Sequence, residues 1–314
     1  MVVIVPWLHI VCDSRGRYLC AVRCKASGPF GAVEADQRVD VWDLATLQKK
    51  TSGAIRYEVN IGRLALSPDG CAIVSATYKN GASLYIGAPL ARKQDLTIKP
   101  IDGVFFLTNR LFGIGAEEKG TGFWSVDSGI LVKRQPVYPV FANPYGGPSL
   151  AASIERDCYW FIDECAERLG ARELAFVGRW PLRASFSNDG GFAVVCESGV
   201  TRGIDLREQA EMWHVRLPEK WQPQDACILE NGDAFLLMTR DDDGLVEISL
   251  CSMTSGEVRS ILRRQPLGPI AVFAQEQAML IETTGGLFRY EDGAIRRVAE
   301  VRSVNDEYEL VRAP

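Results

Sequence analysis

A strand-and-turn pattern that returns about every 40 residues constrains the fold of this chain more than any other feature. Its clearest copy is Arg38–Leu44, a β-branched and aromatic run in which Trp42 is followed by Asp43. A bulky residue near a strand end, with a polar turn after it, recurs at Tyr85, Trp124, Tyr159–Phe161, Ile204, Cys251 and Phe288. Trp124 follows Trp42 by 82 positions and Ile204 follows Trp124 by 80, so each of these intervals holds two units. The count is therefore seven units.

A second landmark is the turn between the first and second strand of each unit. Ser67-Pro68-Asp69-Gly70 and Ser187-Asn188-Asp189-Gly190 are its best copies. Proline presets φ for a turn and glycine accepts a positive φ, so both segments predict ordinary tight turns. Short strands at this spacing predict an all-β fold of four-stranded antiparallel sheets.

The chain resembles the WD-repeat or WD-like seven-bladed β-propellers, on Val41–Leu44, Leu66–Gly70 and Phe186–Gly190. It departs from them in having one Trp-Asp pair and only two histidines, so their buried Asp-His-Ser-Trp network is not expected. The resemblance implies a non-catalytic platform that binds proteins through the faces of the propeller.

We expect a single domain of seven blades, with one segment of uncertain form. The predicted blades are about 8–53, 54–99, 100–137, 138–178, 179–217, 218–264 and 265–301. Met1–Val5 and Tyr308–Val311 are strand-like and are expected to help close the ring. Within the fourth blade, Glu164–Leu174 fits either a short helix or an elaborated hairpin.

Composition excludes several classes of function. A net charge of −5, with no run of Lys or Arg longer than two, argues against nucleic-acid binding. No stretch reaches the roughly 18 apolar residues of a membrane span. Nine cysteines, mostly within apolar runs and without a Cys-x-x-Cys pair, predict buried thiols in a reducing, cytoplasmic compartment rather than a zinc site. No cofactor is predicted.

Catalytic signals are weak, so we predict no catalytic residues. His9 and His214 lie in apolar strands without a nucleophile motif nearby, and a structural role is favoured for both. Asp241, Asp242 and Asp243, with Glu247 beyond them, fit a Ca²⁺ site in number but not in spacing. A solvated hairpin loop is the preferred interpretation, and no metal site is predicted.

Aromatic and arginine residues in or beside loops give the only interaction signal. We assign them to loops that join the second and third strands or join blades, which share one face in WD-like propellers. Trp, Tyr and Arg dominate binding hot spots. The predicted partner-binding residues are Phe30, Tyr78, Tyr138, Tyr145, Arg179, Trp180, Trp221 and Arg240. The competing interpretation for Trp180 and Trp221 is that each wedges between adjacent blades.

The sequence thus predicts a non-catalytic platform that binds a protein partner through one face. A narrower hypothesis makes it an inhibitor or immunity protein that neutralises a toxin or effector enzyme. The alternative is an enzyme, or a protein that binds a small ligand or Ca²⁺, using the central channel, with Asp241–Asp243 and Glu247 as first candidates.

Overall fold

The chain folds into short antiparallel strands. A computed structural model describes residues 7–13, 17–24, 34–58, 63–77, 81–96, 98, 101–116, 118–169, 173–177, 181–229, 232–243, 245–265, 270–275, 277–282, 286–291, 294–304 and 307–312. Within these ranges there is no helix, and hence none that could cross a lipid bilayer. The strands pair into seven sheets, each a meander in which sequential strands are neighbours.

The strands group into two compact units, each described by itself. The first contains β1 to β12 together with residues 301–312, and the second contains residues 136–300. Sheets 1 to 3 lie in the first unit. Their strands are β1 (Trp7–Cys12), β2 (Tyr18–Cys24), β3 (Glu34–Asp43), β4 (Gln48–Glu58), β5 (Arg63–Leu66), β6 (Ala72–Thr77), β7 (Gly81–Ile86), β8 (Ala91–Leu96), β9 (Gly103–Phe106), β10 (Leu111–Ala116), β11 (Gly120–Ser125) and β12 (Leu131–Gln135).

Sheets 4 to 7 follow. Sheet 4 is β13 (Val137–Phe141), β14 (Ser149–Ser153), β15 (Cys158–Ile162) and β16 (Leu174–Ala175), and sheet 5 is β17 (Pro181–Phe186), β18 (Phe192–Glu197), β19 (Val200–Asp205) and β20 (Ala210–Arg216). Sheet 6 is β21 (Gln222–Ile228), β22 (Ala234–Arg240), β23 (Val246–Ser252) and β24 (Val258–Gln265). Sheet 7 has five strands: β25 (Ile270–Gln275), β26 (Gln277–Glu282), β27 (Gly286–Glu291), β28 (Ala294–Val304) and β29 (Glu307–Arg312).

Within each unit, successive sheets pack face to face around apolar side chains. In the first unit, Val39 and Val41 of sheet 1 share a core with Ile73 and Tyr85 of sheet 2. The first strands of successive sheets also contact one another, β1 with β5 and β5 with β9, and in the second unit β13 with β17, β17 with β21 and β21 with β25. The first strands therefore lie side by side, and the fourth strand forms the opposite edge of its sheet. This is the arrangement of consecutive propeller blades.

The bulky landmark residues of the third strands are buried. Trp42, Tyr85, Trp124, Ile204 and Cys251 are all buried side chains. Trp124 packs on the apolar residues of sheet 2, and Ile204 packs on those of sheet 4. The bulky residue thus faces the preceding sheet, which explains why its size recurs with the repeat.

In blade 4 the structure distinguishes between the short helix and the elaborated hairpin that the sequence allows for Glu164–Leu174. The segment after β15 turns at Asp163, whose carboxylate accepts hydrogen bonds from the backbone N–H groups of Cys165 and Glu167. Arg168 then forms a bridge with Ile162, and β16 pairs with β15. An elaborated hairpin is present, with no helix among the described residues of this segment.

Candidate functional site

Each sheet has two ends that carry different connections. The hairpins between second and third strands, and the linkers between sheets, emerge at one end, which we call the linker end. The other connections emerge at the opposite end, which we call the turn end. This follows from the antiparallel order of the strands. The sequence predicted the binding face at the linker end.

Trp221 and Arg240 come together at the linker end of sheet 6. Trp221 is the last residue of the linker from β20, and its backbone N–H donates to the Pro218 carbonyl oxygen at 2.8 Å. The next residue, Gln222, opens β21 and pairs with Arg240, the last residue of β22. Both predicted side chains are half-buried. An aromatic ring and a guanidinium group are therefore presented at the same edge of one sheet.

The Arg240 guanidinium has an unused donor. Its Nε is buried and has no hydrogen-bond partner within the described part of the chain. A buried donor without an acceptor costs about 1–3 kcal/mol.

Sheet 5 extends the same surface. The Ser198 hydroxyl, in the hairpin between β18 and β19, donates to Gln222 Oε1 at 3.1 Å. The Leu217 N–H donates to the Gly199 carbonyl oxygen at 3.0 Å. These bonds tie the hairpin of sheet 5 to the linker that carries Trp221. We call this set, Ser198, Gly199, 217–222 and 240–243, the linker-end surface.

In the acidic loop beside Arg240, backbone N–H groups donate hydrogen bonds to the side chain of Asp241. Asp241 Oδ1 accepts hydrogen bonds from the N–H groups of Asp243, at 3.1 Å, and Leu245, at 2.8 Å. Glu247 lies on β23 and accepts a hydrogen bond from the Ser249 hydroxyl at 3.3 Å. The described residues contain no cluster of three or more His, Cys, Asp or Glu side chains that could hold a metal ion. Asp241 has the geometry of a hairpin-stabilising turn residue, which is the preferred sequence interpretation.

A buried ionic network lies between sheets 4 and 5, beneath the linker end. Glu197 ends β18 with 0% exposure, and Arg202 of β19 has 1%. Arg202 Nε lies 3.1 Å from Glu197 Oε1, and Arg202 Nη1 lies 2.9 Å from Glu211 Oε2 on β20. Tyr159 donates its hydroxyl to Glu197 Oε1 at 2.8 Å. The charges are thus paired across three strands of sheet 5, and Tyr159 links them to sheet 4.

Glu197 also holds the linker between sheets 4 and 5. Its Oε2 accepts a hydrogen bond from the Val177 backbone N–H at 3.1 Å. Burial, followed by the Glu197 charge, raises the pKa of Tyr159 well above its ordinary value, so the hydroxyl stays protonated and donates. One carboxylate therefore fixes both a side chain of sheet 4 and the path of the chain leaving it.

Sequence reasoning missed this network, although a signal was present. Glu197 and Arg202 are opposite charges in otherwise apolar strands, separated by the short hairpin at Ser198-Gly199. Isolated charges in strands that are apolar at every other position indicate paired, buried groups. His214, predicted to be structural, lies on the outer strand β20 with its Nδ1 2.7 Å from Glu211 Oε1.

The remaining predicted site residues divide into three cases. Tyr138 lies half-buried on β13, the first strand of sheet 4, and not on sheet 6. The predicted placement of Tyr145 is wrong, because the residue lies between β13 and β14 and therefore at the turn end, and its part in partner binding stays a prediction. Four predicted residues lie outside the described residues: Phe30, Tyr78, Arg179 and Trp180.

The reason for the error at Tyr145 is structural. Its loop is built by buried Asn143, whose Nδ2 donates to the carbonyl oxygens of Pro148, at 3.2 Å, and Gly190, at 3.0 Å. The Tyr145 ring packs on the apolar core between sheets 4 and 5. Tyr145 is therefore a packing residue at the turn end.

Comparison with known proteins bears on the fold alone. No family model matches the chain, and no curated protein matches it. Among solved structures it is similar to the β-propeller domain of Cps50 (Swd1) from Myceliophteria thermophila, at a TM-score of 0.63 and 13% sequence identity. The similarity covers 94% of this chain and 98% of that one. Together with the repeated four-stranded sheets, it confirms the prediction of an all-β, WD-repeat-like propeller fold.

Proposed function

We propose that this WD-repeat-like propeller is a non-catalytic platform that binds a partner protein through the linker-end surface of sheets 5 and 6. The observation that carries the proposal is the pairing of Gln222 with Arg240, which places Trp221 and Arg240 at the same end of sheet 6. Tryptophan and arginine are the residue types most often found at the energetic centre of protein interfaces. Both residues are also among those that the sequence predicts for the binding face.

The chemistry of Arg240 defines what its partner supplies. Its half-buried side chain ends in a planar, positively charged guanidinium, so a carboxylate or main-chain carbonyl oxygen of the partner is the complementary group. Trp221 supplies apolar contact area beside it. Phe30, Tyr78, Arg179 and Trp180 stay predictions as further members of the binding face.

Buried thiols favour the non-catalytic part of the proposal. Burial raises the pKa of Cys20, Cys196 and Cys227 far above the ordinary value, and that of Cys251 to about 12. Thiols held protonated are poor nucleophiles. Their free, buried state also supports the proposal of a reducing, cytoplasmic location.

The test is affinity capture from a lysate of the host organism, with mass-spectrometric identification. Trp221→Ala and Arg240→Ala are compared with the parent chain. We expect each variant to weaken capture of one stoichiometric partner by roughly 30-fold, the loss typical of a hot-spot residue. The matched control is Arg207→Ala, an exposed arginine at the turn end of sheet 5, which we expect to leave capture unchanged.

Two results would contradict the proposal. If Arg207→Ala weakens capture as much as Arg240→Ala, the surface is not at the linker end. If Trp221→Ala lowers the melting temperature by more than about 5 °C, the ring is a packing residue and not a binding residue.

The narrower hypothesis names the partner as a toxin or effector enzyme that the chain inhibits. Its test is co-expression of the captured partner with and without this chain. Restored growth of the host supports an immunity role, and growth arrest in both cultures removes it.

A further inference from the structure

Three consecutive large apolar side chains are exposed at the edge of sheet 3. Ile130, Leu131 and Val132 are 67%, 38% and 58% exposed. Elsewhere in the described chain the exposed large apolar residues stand singly, at Leu182, Met212 and Val258. Three exposed apolar residues in succession are unusual on a soluble surface and indicate an interaction site.

A β-bulge explains how consecutive side chains are all exposed. Trp124 of β11 pairs with Leu131, and Phe123 pairs with Lys133, so Val132 is an extra residue without an opposite partner. A bulge interrupts the alternation of side chains and changes the direction in which the extra residue points. Since β12 is the edge strand of its sheet, its outer side has no neighbouring strand among the described residues.

The fold does not require an apolar residue at the bulge. Equivalent bulges precede the bulky third-strand residue in other sheets, and Lys50 and Lys93 occupy the position of Val132 in sheets 1 and 2. Lys93 Nζ donates to the carbonyl oxygens of Val126, at 3.1 Å, and Asp127 of the next sheet. In sheet 2 the residue at this position is thus a lysine that donates hydrogen bonds to the next sheet, whereas in β12 it is an exposed valine.

Basic side chains border the apolar run in a chain whose net charge is −5. Gln94 Nε2 donates to the Gly129 carbonyl oxygen at 3.3 Å, so β8 lies beside the turn that leads into β12. The two strands carry Arg92, Lys93, Lys133 and Arg134, against Asp95 on β8 and Asp127 in the turn. The Asp95 carboxylate lies 3.5 Å from Arg92. Positive charge therefore predominates around an apolar strip at a strand edge.

We propose that this edge binds an extended acidic segment of a partner protein, which adds to sheet 3 alongside β12. Main-chain pairing with an edge strand supplies affinity, and alternate side chains supply specificity. Apolar residues of the segment lie on Ile130 and Val132, and its carboxylates lie near Arg92, Lys93 and Arg134. A second copy of this chain is the less complementary occupant, because it brings the same cations to the same edge.

The probe is a fluorescein-labelled peptide of about eight alternating glutamate and valine residues, a length that matches one edge strand. Fluorescence anisotropy measures its binding to the full chain. We expect Val132→Ser, which removes the apolar contact without adding a charge, to lower affinity about ten-fold, as expected for one lost valine contact. The control is Met212→Ser, the equivalent bulge position in sheet 5, where affinity stays unchanged.

Two further readouts separate strand addition from general charge attraction. Hydrogen exchange at residues 130–134 should slow when the peptide is bound. A peptide of alternating lysine and valine should bind at least about ten-fold more weakly, and about 0.5 M salt should weaken the acidic peptide.

Several results would overturn the proposal. They are equal binding of the basic peptide, equal affinity for the parent chain and Val132→Ser, and the absence of binding by the acidic peptide. Dimerisation of the chain that Val132→Ser abolishes would assign the edge to a second copy instead. None of these outcomes bears on the linker-end surface, which lies on other sheets.

Discussion

The turns at Ser67–Asp69 and Ser187–Asp189 are built from the same hydrogen bonds. In each, the serine hydroxyl donates to the aspartate Oδ1 at 2.6 Å. The same Oδ1 accepts from the N–H two residues on, Cys71 or Gly191, at 2.9 Å. The side chains therefore close the turn through local bonds, which is why four residues of sequence are enough to predict it.

Glu197 gives the sharpest prediction at the scale of one residue. Glu197→Gln should lower the free energy of unfolding by about 3 kcal/mol, because it leaves the Arg202 charge without its fully buried counter-ion. Urea denaturation measures the loss. The control is Glu211→Gln, which removes the outer, partly exposed partner of Arg202 and should cost about 1 kcal/mol or less.

A double variant distinguishes charge burial from packing. Glu197→Leu combined with Arg202→Met removes both charges, and we expect it to recover most of the stability lost in Glu197→Gln. If the double variant is less stable than Glu197→Gln, the network stabilises the fold through its hydrogen bonds. That result would contradict the explanation by an unpaired buried charge.

Predictability differs among these residues for a physical reason. The burial of Trp42 and Ile204 follows from their size and their position in the repeat. The burial of Arg202 depends on Tyr159, which lies on another sheet 43 positions earlier in the chain. The opposite charges of Glu197 and Arg202 indicate a buried pair, but a single strand sequence does not identify a partner on another sheet, so the whole network could not be predicted.

At the scale of elements, the bulge between third and fourth strands is the recurring device. It precedes Trp42, Tyr85, Trp124 and Ile204, and also Phe288. In sheets 1 and 2 the extra residue is a lysine that reaches the next sheet. In these sheets the bulge therefore directs a side chain of the fourth strand toward the next sheet.

Lys93→Met tests this role. The substitution keeps the length of the side chain but removes the ammonium group that donates to Val126 and Asp127, so we expect a loss of about 1 kcal/mol. Arg92→Met, on the exposed side of the same strand, is the matched control and should cost less than about 0.5 kcal/mol. The free energies of unfolding are measured by guanidinium chloride denaturation. Equal losses for Lys93→Met and Arg92→Met would show that the hydrogen bonds of Lys93 are not the cause of the destabilisation.

Elements were predicted better than their connections. Strands such as Cys71–Tyr78 and Phe192–Cys196 show as apolar runs, and β6 and β18 lie there. Tyr145 was assigned to the wrong end because its glycine-rich loop has no periodicity that assigns it to the first or second hairpin. Gly146 and Gly147 both adopt positive φ in that loop, a conformation that the sequence permits without specifying its place.

At the scale of the whole molecule, buried acids govern the response to alkaline conditions. The thiols of Cys20, Cys196 and Cys227 have folded-state pKa values raised above the ordinary 9.0, and Tyr159 is raised likewise. Above that pH the unfolded chain ionises while the folded chain keeps its protons. Stability is therefore fully present below about pH 8 and falls as pH rises further.

The size of this fall is a prediction. Each buried thiol should contribute about 1.4 kcal/mol per pH unit beyond its unfolded pKa. Urea titrations from about pH 8 to about pH 10 should show a shallower slope for Cys196→Ala than for the parent chain. Cys71→Ala, at an exposed thiol, serves as the control. Parallel slopes for the parent chain and Cys196→Ala would rule out this source of pH dependence.

The repeat predicted the fold because seven copies of one signal add up, even where single copies are weak. Seven sheets are present among the described residues, and the fold is that of a WD-repeat-like propeller. That the chain is one domain, closed by its two ends, stays a prediction, since residues 1–6 lie outside the described ranges. The binding surface cannot be read from the repeat, because it depends on residues that differ between copies.

The contact between Glu197 and Val177 has a consequence for how such a protein diversifies. Glu197 holds the linker through a backbone N–H, which every residue except proline carries. Side chains of the linker near Val177 can consequently be substituted while the backbone of the linker keeps its path. Under the proposed function, mutation of those side chains changes which partner the linker end binds while the path of the backbone stays the same.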